Sequence, residues 1–109
     1  MKKLAGVTKE KVFRKLKDVM DPELHLNIVD LGFIYGIEFL AKDKIKIKMT
    51  MTSPACPLSP YFESEIPSVL KKIKGIRTVK VEFVFDPPWT RDKISESAKE
   101  ELRMRGVPI

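Results

Sequence analysis

Cysteine is nearly absent from this chain: Cys56 stands alone among 109 residues. One thiol excludes an internal disulfide, and it excludes a metal site built from four cysteines of one chain. A lone thiol agrees with a reducing compartment. Histidine is as scarce. His25 is the only one, so a nucleophilic cysteine has a single candidate base. Long apolar runs are missing too. No stretch approaches the ~20 residues of a membrane span, and Met1-Lys2-Lys3-Leu4 is not followed by a signal-peptide core. These absences predict a cytoplasmic protein that does not enter membranes. The chain has neither a phosphate-cradling glycine loop nor a dinucleotide fingerprint, which argues against binding ATP by itself. Repeats, linkers and low-complexity tracts are also absent, and the length is that of one domain, taken as residues 1–109.

Charge is what the chain has in quantity. Twenty-one Lys and Arg face 15 Asp and Glu, for a net +6. Such an excess invites a nucleic-acid reading. Its distribution argues otherwise: the basic runs at residues 2–17, 44–48 and 71–80 are interrupted by Asp21, Glu23, Asp30 and Glu38. Neither an Arg-rich tract nor an aromatic-and-basic RNA signature is present. Nucleic acid is therefore set aside as a partner.

The apolar pattern predicts six elements. Thr8 caps a helix over about 9–20, with Val12, Phe13, Leu16, Val19 and Met20 at helical spacing, and Pro22 ends it. Residues 21–32 read as an irregular but packed connection. A strand at 33–40 carries Phe33, Tyr35, Ile37 and Phe39 on one face. After a turn at 41–43, a strand at 44–52 alternates strictly, with Ile45, Ile47, Met49 and Met51 inward and the lysines, Thr50 and Thr52 outward. A second helix over 57–74 contains Pro67 and is capped by Gly75. A strand at 78–86 and a helix at 96–105, capped by Ser95, complete the chain. The order α-β-β-α-β-α gives a two-layer α+β domain, one three-stranded sheet packed with helices.

Cys56 falls between strand and helix, with Pro54 and Pro57 on either side. The first turn of a helix presents unpaired amides and the positive end of its dipole, and both favour a thiolate. Flanking prolines stiffen the backbone there. A single sulfur with carboxylates such as Asp21, Glu23 or Asp86 makes a poor permanent site for a soft metal but a reasonable site for transient handling. A bound cluster would need a second thiol from a homodimer partner or from outside. Each carboxylate also has a bland reading: Asp21 and Asp86 as turn caps before prolines, Glu23 as a solvated surface acid.

Three segments taken together carry a resemblance. They are Asp21-Pro22-Glu23-Leu24 running on to Asn27–Tyr35, then Met49–Leu58 with Thr52 four positions before Cys56, then Phe85-Asp86-Pro87-Pro88-Trp89. In this order the chain resembles the SufT/PaaD-type metal–sulfur cluster biosynthetic domain over about residues 8–105. The resemblance implies a maturation or assembly factor for iron–sulfur proteins, not an enzyme. It points to Cys56 as the cluster- or metal-contact residue, supported by Asp21, Glu23, Asp86 and Trp89. Thr50 and Thr52 join them from the alternation, which turns their hydroxyls away from the buried methionines. It further implies iron–sulfur scaffold or client proteins as partners, and no stably held cofactor, only a transient iron–sulfur cluster or iron. Members of this family occur alone, fused to a P-loop ATPase scaffold, or within phenylacetyl-CoA oxygenation systems. The chain shows neither the ATPase nor the cysteine-rich tail and reads as the stand-alone type. Three other readings stay open: a protein-interaction adaptor with a structural Cys56, an accessory subunit of an oxygenase system, and a cysteine-dependent transferase or hydrolase using His25.

Overall fold

The computed structural model describes residues 7–41, 43–52 and 58–107. Helix α1 spans Lys9–Leu16. Thr8 precedes it in extended conformation and its hydroxyl accepts from the Lys11 amide at 3.2 Å, satisfying one orphan donor of the first turn. The helix stops earlier than the apolar spacing suggests. Met20 and Asp21 are instead extended as strand β1, paired antiparallel with β2, Leu26–Asn27. Val19 is fully buried from this extended stretch, whereas Met20 is exposed and does not belong to the core stripe. The connection over 21–32 is thus a small ribbon and turn held by backbone hydrogen bonds rather than an irregular loop.

Strands β3, Ile34–Ala41, and β4, Lys44–Met49, form the expected hairpin. Strand β5, Thr78–Phe83, lies parallel to β4 on its other side. A parallel neighbour cannot be reached by a tight turn, and helix α2, Ser59–Leu70, makes the crossover. The sheet order is β3-β4-β5. Cross-strand partners Ile37 and Ile47, Phe39 and Ile45, Ile47 and Val81, Met49 and Phe83 share the inner face. Leu16, Phe62, Ile66 and Leu70 from α1 and α2, and Ala98 and Leu102 from α3 (Glu96–Met104), fill the same core. Pro67 is accommodated within α2, and the Lys71 amide still reaches its carbonyl at 2.9 Å. Gly75, at φ +104°, lies in the turn beyond the helix rather than capping it; Lys71 is the C-cap. Strands β4 and β5 end at Met49 and Phe83, shorter than their apolar patterns.

Two expectations fail at the end of the hairpin. A bulge between Ile34 and Gly36 leaves Tyr35 without a cross-strand partner, which separates it from the inner face carrying Ile37 and Phe39. A bulge adds one residue to one strand and re-aims the side chains around it. Thr50 is completely buried, as is Met49, and Met51 is nearly so, because regular pairing stops at Met49 and alternation stops with it.

Candidate functional site

The turn after β1 is built around Asp21. Its carboxylate Oδ1 accepts from the amides of Glu23 and Leu24, both at 2.8 Å, and its carbonyl accepts from the His25 amide. Asp21 is only 3% exposed; satisfying two backbone donors is what allows a carboxylate to stay there. His25 closes the turn in the left-handed region at φ +56°, unfavourable for a residue with a Cβ. Arg105, at the end of α3, holds this corner by donating to the carbonyls of Leu24 at 3.1 Å and His25 at 3.3 Å, while its guanidinium also pairs with Glu101. Glu23 stands exposed on the same turn.

The turn is fastened to the start of α2. The Tyr61 hydroxyl donates to the Met20 carbonyl at 3.0 Å. Partial desolvation pushes the phenol of the half-exposed Tyr61 above its ordinary value, with Glu65 and Asp21 adding negative charge nearby. Asp21 therefore lies near the first turn of α2, which starts at Ser59, three residues after Cys56 in the chain. Cys56 itself, with Ser53, Pro54, Ala55 and Pro57, lies outside the described residues.

A second array lies where the outer face of the sheet meets the segment after β5. Gly32, Ile34, Tyr35, Lys48, Val84, Asp86, Pro87 and Lys93 line a surface cleft of about 650 Å³. Re-aimed by the bulge, Tyr35 donates to the Pro87 carbonyl at 2.8 Å, and the Lys93 ammonium sits 5.1 Å from its ring centre. Trp89 does not line the cleft. Its indole N–H donates to the Leu31 carbonyl at 2.7 Å and its ring packs edge-on against Phe33, which packs edge-on against Phe62 of α2. Trp89 thus pins the 86–90 segment to the core. On the open face beside the cleft, Lys48 and Lys46 lower the Glu38 carboxyl below its ordinary value, and Glu82 then Glu38 raise Lys46.

The six expected residues other than Cys56 divide accordingly. Asp21 and Glu23 share the ribbon turn, and Asp86 lines the cleft. Trp89 buttresses it from behind. Thr52 is exposed as expected. Thr50 is not free to reach a ligand: it is sealed in the core, its amide bonded to the Phe33 carbonyl at 2.7 Å and its hydroxyl turned to the Met51 carbonyl at 3.4 Å. Among the described residues no hydrogen bond or ion pair joins Asp21 or Glu23 to Asp86, and no three His, Cys, Asp or Glu side chains gather at metal-binding distance. Tyr61, Lys93 and Arg105 were not foreseen. Their contacts reach across 41, 58 and 80 or more residues (Lys93 to Tyr35 through space), so no local pattern announces them.

A family model described as "Iron-sulfur cluster assembly protein" matches residues 9–83, from α1 to the end of β5. The Fe-S protein maturation auxiliary factor YitW of Bacillus subtilis is 40% identical over 94 residues, 86% of this chain and 92% of the relative. The Fe-S protein maturation auxiliary factor SufT of Staphylococcus aureus is 38% identical over 84 residues, 77% of this chain and 96% of the relative. A solved domain of unknown function from Bacillus anthracis superposes with a TM-score of 0.83 at 34% identity, covering 88% of this chain and 92% of that one.

Proposed function

This chain belongs to the iron-sulfur cluster assembly protein family, and we propose that its part in iron–sulfur protein maturation runs through Cys56. In this reading the Cys56 thiolate takes one ligand position on iron, or on a cluster passing from scaffold to client, and yields it again to the client's own ligand. The proton lost when the thiol binds goes to solvent and returns on release. No net oxidation or reduction is involved. The protein keeps no cofactor and catalyses no reaction of its own; its partners are the scaffold and client proteins, met in the cytoplasm. One thiol per chain leaves every other ligand to a partner, a free thiol or a second subunit.

The observation that carries this reading is the fastening of the acidic turn to α2. Tyr61 ties Met20, and with it Asp21, to the first turn of the helix that begins shortly after Cys56 in sequence. Helix α2 begins at Ser59, three residues beyond Cys56 in sequence and later than the 57 expected from the apolar pattern, while Glu23 on the acidic turn offers an exposed carboxylate to iron or to a partner. Anaerobic delivery of a cluster to an apo-client tests it: Cys56→Ser should slow transfer at least about tenfold, since even loss of a partner behind a ligand costs that much. Equal delivery by wild type and Cys56→Ser ends the thiol-centred mechanism.

An adaptor with a structural Cys56 has its own support in Met20 and Tyr61, 44% and 36% exposed side by side at the same corner, an apolar contact surface for a partner. Iodoacetamide separates the two. A working thiolate reacts in the native protein, whereas a structural thiol reacts only after denaturation.

A further inference from the structure

The ion pairs of this protein are distributed unevenly. Those of the sheet, Lys46 and Lys48 with Glu38 and Glu82, and those of α3, Lys99, Arg103 and Arg105 with Glu96, Glu100 and Glu101, balance charge locally. The surplus lies elsewhere. Residues 9–18 hold five cations against Glu10 and Asp18, and residues 71–80 hold five cations and no acid. Together these stretches exceed the whole chain's +6, which leaves the remainder net acidic. Sixty residues apart in sequence, the two stretches meet in the fold. Lys11, Arg14, Lys15 and Asp18 of α1 and the following turn line one groove of about 410 Å³ with Ile73, which lies between Lys72 and Lys74. Among the described residues that line the groove Asp18 is the one acid, and it pairs with Lys15 at 3.3 Å.

We propose that this groove is a docking site for an acidic segment of a partner protein. The surface combines an apolar floor at Ile73 with a rim of ammonium and guanidinium groups, so it fits a segment in which carboxylates flank an aliphatic side chain. With Lys15 already paired to Asp18, the lining still carries more positive than negative side chains, and that excess favours an approaching carboxylate. A nucleic acid is the weaker fit. The groove lining offers no aromatic ring for a base to stack on, and Asp18 stands within it. The groove draws on neither Cys56 nor the acidic turn, so the proposal stands apart from the cluster-transfer reading and can fail without it.

The test is an amide NMR titration of the full chain with a blocked peptide of glutamates interspersed with leucine, against a DNA duplex of matched charge. Expected are shifts confined to residues 9–18 and 71–74, weakening about tenfold or more between roughly 50 and 300 mM salt as screening sets in. Arg14→Glu with Lys72→Glu, both exposed positions, should abolish them. Lys99→Glu with Arg103→Glu makes the same change in net charge on α3 and should leave them. The milder pair Arg14→Gln and Lys72→Gln, checked by circular dichroism, covers the case in which reversal unfolds the chain, and should weaken binding several-fold. The proposal is overturned by an absence of shifts at low salt, by shifts centred elsewhere, by equal weakening from both charge-reversal pairs, or by tighter binding of the duplex. Cluster delivery by the Arg14 and Lys72 variants to a client lacking any acidic segment should stay at the wild-type level, which separates failure here from failure of the Cys56 reading.

Discussion

A Cβ added at Gly32 would collide with the Lys93 carbonyl oxygen and lie 2.7 Å from the Lys93 Cβ, on a backbone already at φ +77°. Backbone cannot retreat as a flexible side chain can, so Gly32→Ala should cost on the order of 2–4 kcal/mol. A urea midpoint that falls while the slope stays constant would report it; an unchanged midpoint would show that the 91–94 turn is free to move. Tyr61 gives a second residue-scale prediction. Its raised pKa means that the fold favours the neutral phenol, so the stability it adds is present below the usual 10.0 and is lost as pH rises through the folded value. Ultraviolet titration should show a late-ionising tyrosine that disappears in Tyr61→Phe. Of the expected site residues, Asp21 was legible only by type. The Asp-Pro pair signals a turn, but the burial of its carboxylate depends on amides that the turn itself presents.

At the scale of elements, local chemistry predicted well where it was uncontested. Thr8 and Ser95 cap α1 and α3 as their sequences suggest, each accepting from the amide three residues on. Thr8→Ala should therefore lower stability by about 1 kcal/mol, readable as a shift in the thermal midpoint. The alternation of β4 also holds through Met49, because one face meets the core and the other meets water. On that outer face the pH dependence has two signs. Glu38 is lowered, so its contribution is present above the usual 4.5 and fades as pH falls through its folded value; Lys46 is raised, so its contribution fades only as pH climbs past 10.5. Glu38→Gln should lower stability slightly at neutral pH and leave it unchanged in acid, so that the acid limb becomes shallower by the same small amount, since exposed pairs add little. Prediction failed at element ends. Helical spacing in residues 9–20 continues to Met20, yet pairing with Leu26–Asn27 takes Met20 and Asp21 into a strand; tertiary pairing outranks a weak local preference.

For the whole molecule, the sheet depends on a crossover and on a helix at the far end of the chain. Ile94, Ala98 and Leu102 belong to the same core as β4, although the family match ends at residue 83. Removing residues 95–107 should expose that core and turn sharp unfolding into a broad transition, and Leu102→Ala should cost about 2–5 kcal/mol; calorimetry checks both. What the sequence determined by itself was the periodic and the local: an α+β domain whose main elements run α-β-β-α-β-α without the short ribbon β1–β2, two helix caps, the inner face of β4, and a lone thiol that cannot hold a cluster unaided. These arise from steric periodicity and from contacts between residues a few positions apart. Tertiary structure alone decided the parallel docking of β5, the bulge that sends Tyr35 to the cleft, the burial of Thr50, and the clasp of Arg105 on the acidic turn. Each depends on groups far apart in the chain meeting in space, and residue order does not encode such meetings at any fixed spacing.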